Sequence, residues 1–148
     1  MLDIIKNFIA QKNIAIVGVS RNKSKMGYLI YNLLKTQNYT VFPVNPSIDF
    51  IDENKVYNNI NLIEESIDAV IICTKPEITI NILKESIHKN IKNIWIQKGA
   101  ENSEIIDYIK ENNLNVVYEK CIFMFIEPVK GVHSFHRFLT KLFGKYPQ

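Results

Sequence analysis

Five short apolar stretches, at residues 14–19, 39–44, 68–73, 93–97 and 115–118, recur along the chain with helix-like segments between them. The third is the most constraining, because Ala69-Val70-Ile71-Ile72-Cys73 is continuously apolar where a strand with one wet face would alternate. A strand of that kind is buried on both faces, as in a parallel sheet covered by helices. Between the strands, residues 27–37, 76–90 and 102–113 repeat their apolar positions at helical spacing. In the middle segment Ile78, Ile82, Leu83, Ser86 and Ile87 share one face, with Lys84, Glu85, His88 and Lys89 outside it. Pro76 opens that helix, where its missing N–H costs little. Glu101-Asn102-Ser103-Glu104 supplies a cap and first-turn acids for the next one. Strands alternating with helices predict an α/β fold: a Rossmann-like, doubly wound, mainly parallel five-stranded sheet in three α/β/α layers, joined by right-handed crossovers.

A length of 148 residues, 47% hydrophobic and 22% charged, suits one core and one domain, expected over residues 1–148. Residues 47–65 carry weak signals and read as a loop with one short helix around Leu62. Residues 131–143 read as a final helix packed by Val132, Phe135, Phe138, Leu139 and Leu142. The net charge of +3 is too small to argue for nucleic acid. Residues 2–10 are amphipathic and lack the uncharged core and cleavage site of a signal peptide. No apolar run approaches a membrane span. Cys73 and Cys121 form neither a metal spacing nor a disulfide framework. These features predict a cytoplasmic protein with reduced thiols and no nucleic-acid or membrane partner.

The first apolar run ends at Gly18, and a loop bearing Arg21, Lys23 and Lys25 leads into a helix near Met26. A strand–loop–helix unit of this kind directs free N–H groups and a positive helix end at one point, which suits a phosphate. The polar loop ends Gly18-Val19-Ser20, Asn45-Pro46, Thr74-Lys75-Pro76 and Lys98-Gly99 all follow apolar runs, where this architecture binds its ligands. A nicotinamide or flavin site requires G-x-G-x-x-G and an acid about 20 residues further on. Ser20 and Lys23 occupy the second and third glycine positions, and Asn45 stands where the ribose acid belongs. With lysines nearby and no carboxylate, a ligand bearing several phosphates fits better than NAD. No P-loop motif occurs.

Ile16-Val17-Gly18-Val19-Ser20, Lys25-Met26-Gly27, Val41-Phe42-Pro43-Val44-Asn45-Pro46 and Thr74-Lys75-Pro76-Glu77 together resemble the small, single-domain CoA-binding proteins. Their fold is similar to the CoA-binding domain of the succinyl-CoA synthetase alpha subunit. The resemblance runs from about Ile14 to Cys121, and the V-x-P-V-N-P stretch is its most specific part. It implies coenzyme A or an acyl-CoA as ligand. The CoA phosphates are then held by Val19, Ser20, Lys25, Met26 and Gly27 after Gly18. The adenosine part is flanked by Val44, Asn45, Pro46, Thr74, Lys75 and Pro76. Gln97, in Trp95-Ile96-Gln97-Lys98-Gly99, matches a position facing the pantetheine arm. Residues 121–148 depart from the shortest family members and receive no binding role.

The synthetase uses a phosphorylated histidine on a second domain, which this chain lacks. His88 reads as a surface residue. His133 and His136, at i and i+3, have the spacing to share a metal with Cys121 or Glu127, but an amphipathic helix face accounts for them and no metal is expected. Cys73 reads as a packed thiol beside the site, where a mixed disulfide with CoA is within reach, and Cys121 is the better reactive candidate. No Ser-His-Asp set or carboxylate pair is recognisable, so no catalytic residue is assigned. Phe123, Met124 and Phe125 read as core, with a homodimer patch as the alternative. The expected function is CoA binding without chemistry, by a monomer or a homodimer. The alternative is an NAD(P)-binding or acyl-CoA-processing enzyme that uses Cys121 or a partner chain.

Overall fold

A computed structural model of the protein describes residues 1–126. From the amino end, α1 (Leu2–Ile9) leads into β1 (Asn13–Val17), α2 (Met26–Thr36) and β2 (Thr40–Val44). A small hairpin of β3 (Phe50–Ile51) and β4 (Asn54–Lys55) follows, then a short 3-10 turn at Ile60–Leu62. The chain continues as β5 (Ala69–Ile72), α3 (Pro76–His88), β6 (Asn93–Gln97), α4 (Ser103–Glu111) and β7 (Val116–Lys120), ending in a 3-10 turn at Ile122–Met124. The five long strands form one parallel sheet in the order β2-β1-β5-β6-β7. This is the doubly wound architecture that the alternation of apolar runs and helices predicts.

Side chains alternate across the sheet with the pleat. Ile14 and Ile16 point to the layer of α1 and α2, joining Phe8, Ile30, Leu34, Ile71 and Trp95. Ala15 and Val17 point to the layer of α3 and α4, joining Val70, Ile72, Leu83, Ile105 and Ile109. Every residue of β5 is buried, as its unbroken apolar run requires. Trp95 has no exposed surface, and its ring meets Phe8 and Phe125 edge-on at centroid distances of 5.3 and 5.6 Å. Its indole N–H donates to the Lys120 carbonyl over 3.2 Å, so the ring is buried with its polar atom satisfied. Met124 and Phe125 are buried in the α1 layer and Phe123 packs against it, which makes this cluster core. No helix among the described residues is long and apolar enough to cross a membrane.

Two local expectations are corrected. Residues 47–65 are not a loop with one short helix alone, since they contain the β3–β4 hairpin before the turn at Ile60–Leu62. Asp52 and Glu53 both have positive φ, 44° and 66°, as a tight two-residue hairpin connection demands. Asp-Glu lacks the glycine that ordinarily marks such a turn, so the pattern is silent there. On α3 the inward face is Thr79, Leu83 and Ser86, whereas Ile78 is 50% exposed. The buried hydroxyls bond to the preceding turn, Thr79 Oγ1 to the Lys75 carbonyl at 3.1 Å and Ser86 Oγ to that of Ile82 at 2.7 Å. The helix expected at 131–143 lies outside the described residues.

Candidate functional site

β1 lies between β2 and β5, and the chain leaves β1 and β5 toward opposite faces, α2 to one and α3 to the other. The strand order therefore switches at the carboxyl ends of β1 and β5, where open α/β sheets bind ligands. Both helices begin there with an extended N-cap residue, Lys25 for α2 and Lys75 for α3, and neither cap makes a side-chain hydrogen bond. By contrast α4 is capped by Asn102, whose Oδ1 accepts from the Ile105 N–H at 3.0 Å. The start of α2 differs in a second way. Asp3, Glu77 and Glu104 place an acid in the first turn of α1, α3 and α4, whereas α2 has none. Its positive end is met by neither a cap nor a carboxylate of its own, and carries a lysine at the threshold.

Two glycines allow close backbone approaches here, Gly18 to the end of β5 and Gly27 of α2 to the end of β1. Gly18 has φ +97°, and a Cβ there would lie 2.9 Å from both the carbonyl carbon and the oxygen of Cys73. At Gly27 a Cβ would fall on the Gly18 carbonyl oxygen and within 3.0 Å of the Val19 Cα. Backbone thus meets backbone between the strand end and the first turn of the helix. Gly27 performs the close packing that the third glycine gives a dinucleotide fold, at a spacing the G-x-G-x-x-G pattern does not reveal.

Asn45 joins β2 to this loop. Its Nδ2 donates to the Val19 carbonyl at 2.7 Å, and its Oδ1 accepts from the Ser47 N–H at 2.7 Å. The Gly18 N–H donates to the Val44 carbonyl at 3.0 Å, and the Asn45 N–H to that of Tyr57 at 2.9 Å. Pro46 follows, exposed at the rim. Within the loop, Ser20 Oγ accepts from the Asn22 N–H, and Asn22 Oδ1 accepts from both the N–H and the hydroxyl of Ser24. Lys23, Lys25 and Met26 are exposed around these turns.

The structure brings Gly18, Val19, Ser20, Lys25, Met26 and Gly27 together with Val44, Asn45 and Pro46, and with Thr74, Lys75 and Pro76 across β1. Thr74 Oγ1 lies 2.8 Å from Thr79 Oγ1, tying the loop after β5 to the first turns of α3. Gln97 stands apart from this group, at the end of β6. Its side chain is 2% exposed, with Nε2 donating to Cys121 Sγ at 3.3 Å and Oε1 accepting from the Ile122 N–H at 3.1 Å. Cys73 and Cys121 are both part-buried free thiols. Burial, with Cys121 adding a smaller share, pushes the Cys73 thiol up to about 12.

The hairpin reaches the same loop, a connection that the sequence does not signal. Arg21 Nε donates to the Phe50 carbonyl at 3.1 Å, and the Tyr28 hydroxyl donates to Asp52 Oδ2 at 2.8 Å. Tyr28 is therefore engaged by the hairpin, and its hydrogen bond to Asp52 raises its pKa above the ordinary phenol value. His88 is exposed on α3, while Glu127, His133 and His136 lie outside the described residues. A separate cavity of about 320 Å³ opens at the other end of the sheet between the ends of α3 and α4, lined by Ile91, Lys92 and Leu114 among others. It holds none of the residues just described.

Residues 12–127 match the family model described as the CoA binding domain. An acetate–CoA ligase (ADP-forming) from Methanocaldococcus jannaschii is 30% identical over 135 residues, covering 90% of this chain and 19% of the ligase. An uncharacterized protein, YneT, from Bacillus subtilis is 27% identical over 75% of this chain and 82% of its own length. Among solved structures, a conserved hypothetical protein from Pyrococcus furiosus superposes with a TM-score of 0.70 at 29% identity, covering 76% of this chain and 97% of that one. The chain thus spans about a fifth of the ligase and most of the two small proteins. On the extent of the family match, which takes in every strand of the sheet, the chain belongs to the CoA-binding domain family.

Proposed function

We propose that the protein binds coenzyme A, or an acyl-CoA, at the carboxyl ends of β1 and β5 and performs no acyl transfer of its own there. The observation that carries this reading is the start of α2, with no side-chain cap and no first-turn acid, and Lys25 at its N-cap. Gly18 and Gly27 let the backbone of the loop and helix close up, so that a pyrophosphate meets amides rather than side chains. Asn45 stands where a carboxylate would grip an unmodified ribose and would repel a phosphorylated one. Family membership supports the same ligand. The ADP-forming ligases it resembles carry about four-fifths of their length elsewhere, which supports a holding role for this part. His88, on the exposed side of α3, is the one histidine among the described residues, and it offers no base to the switch point.

Isothermal titration of the full chain with CoA, NAD, NADP and ATP tests the proposal. CoA is expected to bind most tightly. Tighter binding of NAD than of CoA would overturn it.

A further inference from the structure

Of the cations in the loop between β1 and α2, Arg21 alone has its side chain placed. The ammonium groups of Lys23 and Lys25 meet no hydrogen-bond partner, carboxylate or ring among the described residues. Arg21 Nε donates to the Phe50 carbonyl at 3.1 Å, which carries the guanidinium across to the hairpin that follows β2. A guanidinium has five N–H donors in one plane, so with Nε occupied both terminal amino groups stay open as a fork. The hairpin and its approach bear Asp49, Asp52 and Glu53, yet Arg21 forms no salt bridge with any of them. Asp52 instead accepts from the Tyr28 hydroxyl. The tether is a neutral carbonyl, so it fixes the arginine without neutralising it.

In a doubly wound fold the ribose of an adenosine ligand lies at the end of the second strand, and an arginine close to that end accommodates a phosphate on it. Here the end of β2 touches the loop twice, through the Gly18 N–H on Val44 and through Asn45 Nδ2 on Val19, two residues before Arg21. An independent feature marks the same place as a binding surface. Phe50, whose carbonyl holds Arg21, has its ring 57% exposed, more than any other large apolar side chain among the described residues. It lines a cavity of about 420 Å³ together with Tyr57 and Leu62. An exposed aromatic wall beside an unneutralised guanidinium suits a purine whose ribose carries a phosphate. Lys55 also lines this cavity, but its ammonium rests 4.9 Å from the centre of the Tyr57 ring.

We propose that Arg21 is the specificity residue for the ribose phosphate of CoA, its two terminal amino groups forking the 3′-phosphate while the hairpin holds Nε. The inference deepens the reading above and rests on CoA binding at the start of α2, where Lys25 meets the pyrophosphate. Arg21 then separates CoA from dephospho-CoA, which keeps the pyrophosphate, pantetheine and adenine and lacks only that phosphate.

Calorimetric titration of the full chain with CoA and with dephospho-CoA tests this in the native sequence, in Arg21→Gln and in Arg21→Lys. The native protein should bind CoA more tightly by about tenfold or more, the gain from a pair of charge-assisted hydrogen bonds. In Arg21→Gln the ratio should fall toward one, through a loss of CoA affinity with dephospho-CoA affinity nearly unchanged. Arg21→Lys keeps the charge without the planar fork and should restore only part of the ratio. Lys25→Glu, at the shared pyrophosphate, should weaken both ligands alike. A ratio that survives in Arg21→Gln, even with both affinities lowered, would make the arginine a hairpin anchor only and overturn the proposal. Equal binding of the two ligands by the native protein would overturn it as well, and in both cases CoA binding stands. Absence of binding for both ligands in the native protein would instead remove the CoA reading beneath it.

Discussion

The Nδ2 group of Asn45 donates to the Val19 carbonyl over 2.7 Å, so the side chain at the end of β2 holds the loop that follows β1. A carboxylate at this position would keep an acceptor for the Ser47 N–H but would present oxygen to oxygen at Val19. The residue that separates this chain from ordinary dinucleotide enzymes is therefore fixed by the fold. Under the proposed CoA reading, its neutrality also suits a phosphorylated ribose.

Asn45→Asp tests this double role. Loss of the donor leaves the Val19 carbonyl facing a carboxylate, and the variant is expected to be less stable by about 1–3 kcal/mol in urea denaturation. CoA affinity should fall as well, and NAD binding should not appear in titration. A stable variant that gained NAD would show that the amide at this position is a matter of ligand choice alone.

Gly27→Ala should be among the more damaging single-methyl changes in the protein. The new Cβ meets the Gly18 carbonyl and the Val19 backbone, neither of which is a flexible side-chain end. Overpacking of this kind costs about 1–3 kcal/mol. A thermal melt measures the loss of stability. Because the start of α2 must shift outward, CoA affinity measured at a temperature where the variant is folded should also drop.

Residues such as Val70 and Ile72 show why the sheet was legible in the sequence. A strand buried on both faces leaves an unbroken apolar run, and each helix between strands leaves its own period. The β3–β4 hairpin was not legible, because two-residue strands have no period and Asp52-Glu53 takes left-handed angles without a glycine to announce them. On α3, Thr79 and Ser86 face inward because their hydroxyls bond to the preceding turn, which an apolar count does not register. The loop ends near β1 were readable as a group from their place after apolar runs. The bonds from Gln97 to Cys121 and from Asn45 to Val19 were not, since they depend on a register shift and on the distance between loops that lie far apart in sequence.

Lys25→Glu places a carboxylate at the threshold of α2, the helix start that carries neither cap nor first-turn acid. CoA binding is expected to weaken by on the order of 1–3 kcal/mol, the worth of a charge-assisted hydrogen bond. The melting temperature without ligand should hold or rise slightly, since an acid at a helix start is favourable for the helix itself. Opposite signs in the two measurements would mark the lysine as a direct partner of the ligand. Unchanged affinity by titration would place the phosphates elsewhere.

Alkaline pH should destabilise the protein in a window set first by Cys73. Its thiol ordinarily ionises near 9.0, and burial, with a smaller contribution from Cys121, pushes it up to about 12 in the fold. The folded state thus favours the protonated form. This contribution is complete below pH 9 and is lost as the pH climbs from 9 toward 12, because only the unfolded chain ionises readily there. Tyr28 and Tyr39 act in the same direction from about pH 10 upward, the first through its hydrogen bond to Asp52 and the second through burial. Melting temperatures across pH 8–11 should therefore begin to fall near pH 9 in the native sequence. In Cys73→Ala the decline should start about one pH unit later, when the tyrosines take over. Coincident curves for the two proteins would mean that the Cys73 thiol ionises as freely in the fold as outside it.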